Sequence, residues 1–151
     1  MSRLGPYELD SIVTGDAREL ARVLPDESVD MVLTDPPFGI GFRYDGYDDD
    51  PDAYPQLVAW IVETAQRVVR PGGMCFVFQA QLNLREMWPL FPADSRLFMA
   101  ARNFVQIRQI PVQYAYDPVI FWQKPGKALR PYSGRDWHVA NTAITSNRGM
   151  N

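Results

Sequence analysis

The sequence predicts an α/β fold built on a mostly parallel sheet, with antiparallel strands late in the chain. Three observations carry this. Val29–Thr34 is a short apolar run bounded by the turn signal Pro25-Asp26-Glu27-Ser28, the pattern of a buried parallel strand. Residues 53–70 place Leu57, Ile61, Ala65 and Val68 at spacings of four and three, with Val58 and Val69 widening the stripe. That is a helix, and after Pro71-Gly72-Gly73 it gives way to a second apolar run, Met74–Phe78. Two strand-like runs come next, within 97–110 and 114–125. Adjacent late strands commonly pair antiparallel, so the sheet is expected to be mixed.

Taken in order, residues 7–16 predict a short strand ending in a turn. Asp16 predicts the N-cap of a helix over Ala17–Leu24, with apolar residues at Leu20, Val23 and Leu24. The chain then turns at 25–28 into the Val29 strand, making a strand–helix–strand crossover of right hand. That strand stops at Pro36-Pro37, which lack backbone N–H groups and hold φ near about −65°. Asp35, before a proline, is kept extended. The outcome is a rigid post at the carboxyl end of a strand, where open α/β sheets bind ligands. Residues 39–52 mix glycines, aromatics and acids without a period, which predicts a mobile loop. Its acidic run, Asp48–Asp52, reads as a solvated start signal for the next helix. Arg67 and Arg70 fall in that helix's last turn, and Pro71-Gly72-Gly73 ends it. Residues 79–86 are polar, then helical, and are broken by Pro89 and Pro92. Arg102–Arg108 alternates as a strand with one basic face, and residues 126–151 lose periodicity.

Composition bounds the function. At 151 residues the chain has the size of one domain, and 46% apolar with 22% charged residues fits a soluble globular protein. No apolar run approaches the ~20 residues of a membrane span, and Met1–Pro6 carries no hydrophobic signal region. One cysteine, Cys75, excludes an internal disulfide and fits a reducing cytoplasm. Inside an apolar run it reads as a core residue. His138 has no Cys or His neighbours that would suggest zinc. The net charge of −3 is unevenly spread. Residues 1–95 carry 7 Lys and Arg against 16 Asp and Glu, and residues 96–151 carry 8 against 2. A basic final third is the footprint of phosphate contact or, in the plainer reading, an ordinary basic surface patch.

The post suits one kind of chemistry. An exocyclic base amine has two N–H donors and a lone pair delocalised into its ring. Asp35 could accept one N–H and the Pro36 carbonyl the other. The nitrogen would then be drawn toward tetrahedral geometry, with its lone pair aimed at an electrophile. Pro37 stiffens the turn and Phe38 could stack on the base. This is catalysis by positioning and electrostatics, without a covalent intermediate. The other reading is a rigid strand-to-loop turn with a capping aspartate.

Asp35-Pro36-Pro37-Phe38, with an apolar strand before it and Gly39 after it, resembles the [D/N/S]-P-P-[Y/F/W] signature of the DNA amino-methyltransferases. These methylate adenine N6 or cytosine N4 with S-adenosylmethionine. The run from Arg67 to Gly73 resembles the family's helix end before its next strand, and Trp122-Gln123-Lys124 resembles the end of its late strand. The resemblance implies a Rossmann-like methyltransferase sheet, with residues 1–125 as the catalytic half and 126–151 as the start of a target-recognition segment. It implies S-adenosylmethionine near Asp16 and Asp35, with Asp16 also a plain N-cap. It implies DNA as partner, met by Lys124, Lys127, Arg130 and Arg135. Phe42, Tyr44 and Tyr47 either close over the flipped base or pack within their own loop. A leading Asp leans toward adenine N6. The family's glycine-rich F-x-G-x-G turn is absent, since Gly39-Ile40-Gly41 belongs to the loop after the post. The chain therefore resembles the catalytic half alone, with an exposed edge on its central strand. This leaves three expectations: a second chain supplies the remainder, a second copy covers the edge, or the chain is a non-catalytic DNA- or partner-binding half-domain.

Overall fold

The computed structural model describes residues 3–102, 115–127 and 137–140. A small hairpin, β1 (Arg3–Leu4) and β2 (Tyr7–Glu8), opens the chain and is followed by α1 (Ala17–Arg22), β3 (Val29–Thr34) and a second hairpin, β4 (Arg43–Tyr44) with β5 (Tyr47–Asp48). Next come α2 (Tyr54–Val68), β6 (Val69–Phe78), α3 (Leu84–Met87) with a 3₁₀ turn at Trp88–Leu90, β7 (Arg96–Arg102), β8 (Tyr116–Gln123) and β9 (Trp137–Ala140). The main sheet has the order β3-β6-β8-β7-β9. β3 pairs parallel with β6, and β7 with β9, while β8 pairs antiparallel with both β6 and β7. One strand thus runs against the other four, and the sheet is mixed as expected.

The helical stripe read from the sequence is what builds the core. Tyr54, Val58, Ile61, Val62 and Ala65 of α2 are buried with Cys75 and Val77 of β6, Ile120 and Trp122 of β8, and Met87 and Phe91. Each such aliphatic side chain stabilises the fold by about 1.5–3 kcal/mol. α2 stops two residues earlier than its sequence pattern suggests. Val69 is already extended and pairs with Val29. Arg70 consequently leaves the helix, and its Nε meets Asp30 at 2.5 Å. Gly73 permits this crossing, because a Cβ there would lie 2.6 Å from the Asp30 carbonyl oxygen. Arg67 donates to the carbonyls of Leu24 and Ala21 at 2.7 and 2.8 Å. It thereby ties the end of α2 to the end of α1, sharing the Ala21 carbonyl with the backbone N–H of Leu24. No helix of the described residues is long and apolar enough to cross a membrane.

Two expectations change. Residues 11–14 form no strand. Only Tyr7–Glu8 is paired, outside the main sheet, and Ile12 is 99% exposed. A strand needs a ladder partner for its N–H and C=O groups, and none is present among the described residues. The parallel crossover is therefore β3–α2–β6 rather than the expected opening unit. The second change concerns β3, which is not buried. Among the described residues it is the edge of the sheet, the open edge that the missing glycine-rich half implied, with Met31 48% and Leu33 61% exposed while Val32 packs against the core.

Candidate active site

The post stands where the sheet ends. Thr34 is paired with Val77, so Asp35 lies level with Phe78 and Pro36 with Gln79, at the carboxyl ends of β3 and β6. Pro36 and Gly39 are buried, Pro37 and Phe38 half-buried, and Asp35 exposed. Asn83, just before α3, fixes the post from one side. Its Nδ2 donates to the Phe38 carbonyl at 2.6 Å. Gly39 fixes it from another. It has φ +63°, and a Cβ there would come 2.4 Å from the Cβ of Tyr54. Only glycine fits a left-handed backbone pressed against a ring base.

Asp49 is the residue that the sequence reading misjudged. It is 3% exposed, not solvated. Its carboxylate accepts the N–H of Gly39 at 2.6 Å, Ile40 at 3.0 Å and Phe42 at 3.1 Å, and its carbonyl accepts that of Gly41 at 3.2 Å. Hydrogen bonds to an ionised acceptor are roughly twice as strong as neutral ones. The segment after the post is therefore tied down, and it continues into the β4–β5 hairpin. Asp45-Gly46, with Gly46 at φ +76°, makes the hairpin turn. That dipeptide between aromatics was a readable hairpin signal.

The hairpin presents three exposed rings. Phe42 and Tyr44 lie 4.8 Å apart between centroids, and Tyr44 and Tyr47 6.2 Å apart, edge-on. Partial desolvation raises the Tyr44 phenol above its ordinary range, and the carboxylates of Asp49 and Asp35 raise it further. Burial likewise pushes the Tyr54 phenol up, against the lowering effect of its hydrogen bond to Gln79, with Asp49 and Asp35 adding to the rise. Both tyrosines thus feel the charge of the post. Tyr54 donates to Oε1 of Gln79 at 2.8 Å. Gln79 is buried, and its Nε2 has no hydrogen-bond partner among the described residues.

Asp35, Pro36, Pro37, Phe38, Phe42 and Tyr44 are therefore gathered at one end of the sheet. Asp16 is the N-cap of α1, accepting the Arg18 N–H at 2.8 Å. Lys124 is not beside the post. Because β8 runs antiparallel, Lys124 sits level with Gly73, five strand residues or about 16 Å away. Its Nζ is engaged by the Gln66 carbonyl and by Glu27, each at 2.9 Å. Lys127 comes three residues after Lys124, and Arg130 and Arg135 lie outside the described residues. Asp49, Asn83, Tyr54 and Gln79 were not singled out by the sequence reading as site residues.

S-adenosylmethionine would need more than the described residues offer. Of the two carboxylates expected to touch it, Asp35 is exposed and Asp16 is an exposed helix cap.

No protein-family profile matches the sequence. Among curated proteins, the chain is 31% identical over 84 residues to the type II methyltransferase M.BamHI of Bacillus amyloliquefaciens, covering 52% of this chain and 20% of that protein. It is 28% identical over 126 residues to the DNA adenine methyltransferase YhdJ of Escherichia coli (strain K12), covering 80% and 43%. Among solved structures, the cytosine-N4-specific PvuII DNA methyltransferase superposes with a TM-score of 0.61 at 17% identity, over 89% of this chain and 58% of that one. The M1.HpyAVI complex with S-adenosylmethionine gives 0.53 at 17% identity, over 83% and 64%. The chain spans less than half the length of these curated relatives. Its fold is part of an S-adenosylmethionine-dependent methyltransferase fold, and its sequence is similar to part of a DNA amino-methyltransferase.

Proposed function

We propose that this chain is the target-orienting part of a DNA methyltransferase that acts in the cytoplasm on the exocyclic amine of a flipped base, adenine N6 in preference to cytosine N4. The observation that carries the reading is the Asp35-Pro36-Pro37-Phe38 post, fixed at the carboxyl end of β3 by Asn83, Tyr54 and Asp49. Asp35 accepts one amine N–H and the Pro36 carbonyl the other, which localises the nitrogen lone pair. Phe38 stacks on the base, a contact worth about 1–3 kcal/mol. S-adenosylmethionine, when bound, supplies an electrophilic methyl group. Residues 1–125 form the catalytic part, and residues 126–151 begin a target-recognition segment whose basic side chains meet phosphate.

The open edge of β3 belongs to the same proposal. The relatives are more than twice as long as the matched region. A strand of their additional part, on the same polypeptide or on a second one, pairs with this edge and covers Met31 and Leu33. Methyl transfer from labelled S-adenosylmethionine to unmethylated DNA tests the reading, using the protein as its gene encodes it. Incorporation that Asp35→Ala abolishes supports it. DNA binding without incorporation favours the non-catalytic alternative, for which the exposed edge is the motivating observation.

A further inference from the structure

We infer that Asp49 is a positioning residue for base recognition: it holds the Phe42–Tyr44–Tyr47 rings as a platform for an uncharged nucleobase. The inference rests on the methyltransferase reading of the post and extends it to residues that the motif does not contain.

A carboxylate removed from water is strongly unfavourable unless its oxygens are satisfied. The buried Asp49 carboxylate accepts from three backbone N–H groups, those of Gly39, Ile40 and Phe42. All three come from the segment that leaves Phe38, so one side chain sets the path of the chain between the post and the hairpin. Without it, three N–H groups and the geometry of that segment would be released together. A carboxylate kept buried for this purpose implies that the position of the hairpin beyond the segment matters.

That hairpin carries a cluster of exposed rings. Phe42 is 58% exposed, and Tyr44 and Tyr47 are exposed beside it. The rings are inclined to one another by 59° and 70°, so a planar ligand stacks on the face of one and meets the edges of its neighbours. Charge selects which ligand. Between residues 39 and 52 the loop carries Asp45, Asp48, Asp50 and Asp52 besides Asp49, against the single cation Arg43. Phosphates would be repelled there, whereas a neutral base would not. The platform therefore takes the base, and the phosphates are met elsewhere on the protein.

The test compares wild type, Asp49→Asn and Asp35→Ala. Asn keeps the size of Asp but turns an N–H₂ group toward the N–H donors. Amide hydrogen exchange of Gly39, Ile40 and Phe42 should quicken by tenfold or more in Asp49→Asn, with Cys75 and Val77 unchanged. Binding is read by fluorescence anisotropy, using a duplex with one mismatched adenine and its fully paired counterpart. Wild type should prefer the mismatch. Asp49→Asn should lose that preference while keeping its affinity for the paired duplex within twofold. Unchanged exchange at the three amides overturns the inference. So does a mismatch preference that Asp35→Ala removes and Asp49→Asn leaves intact, which would spare the methyltransferase reading. A wild-type protein with no mismatch preference overturns both.

Discussion

The backbone N–H of Gly39 donates to Oδ1 of Asp49 at 2.6 Å, across ten residues of chain. The bond joins the residue that follows the post to the far end of the aromatic hairpin. Gly39 also lies against Tyr54 of α2, so post, hairpin and helical core meet at one residue with no side chain.

Gly39→Ala should therefore be costly. The new methyl would meet Tyr54 at 2.4 Å on a backbone with φ +63°. The left-handed conformation alone costs about 1–2 kcal/mol for a residue with a Cβ, and the clash adds to it. Urea unfolding should show a loss of about 2 kcal/mol or more.

Asp35→Ala should separate function from stability. The side chain is exposed, so its removal should leave the melting temperature nearly unchanged. Removal of a single preorganised polar contact to the reacting group typically costs about 10²–10³-fold in turnover, and a loss of that order is expected in methyl transfer. Thermal melting and initial-rate measurements on the same preparation check both halves.

The motif, the α2 stripe and the β6 strand were legible because each is local. Prolines fix φ wherever they stand, and a 3.6-residue apolar period has few other solutions. Asp49 was not legible, because a carboxylate in an acidic run is normally solvated. Only the folded loop shows that one of the four in Asp48–Asp52 is turned inward. The exposure of β3 was not legible in the strand's own residues, although the missing glycine-rich half implied an open edge there. An apolar strand reads alike whether one or two neighbours flank it, and pairing is decided by residues far away in sequence. The position of Lys124 relative to the post was not legible either. Its chemistry suits phosphate, but the antiparallel course of β8 carries it to the opposite end of the sheet from Asp35. The Ile12 segment has strand-forming residues and no partner to pair with among the described residues.

Cys75 should behave as a core atom. Burial pushes its thiol up to about 12, only partly offset by a backbone hydrogen bond from Phe76. The native protein should resist alkylation at pH 8 and react once unfolded in urea. Because the folded-state value is raised, the associated stability is complete below pH 9 and is lost as pH climbs toward about 12. The loss is at most about 1.4 kcal/mol per pH unit from this one group. Tyr54, raised in the same direction, adds to the loss above pH 10. Unfolding free energies from pH 8 to 11 should fall, and fall less steeply in Cys75→Ala.

The β3 edge should be sticky when its partner strand is missing. Its outward Met31 and Leu33 flank ladder groups that no described residue pairs, the arrangement that promotes edge-to-edge association. Sedimentation of the 151-residue chain should show concentration-dependent association, reduced by Leu33→Lys without loss of helix signal in circular dichroism.

The most direct measurement of the central claim is the modified-nucleoside content of DNA from a host without amino-methylation that expresses the protein as its gene encodes it. N6-methyladenine should accumulate with the wild type and be absent with Asp35→Ala at equal protein level. Neither N6-methyladenine nor N4-methylcytosine accumulating in a host where the protein is folded and bound to DNA would contradict the account.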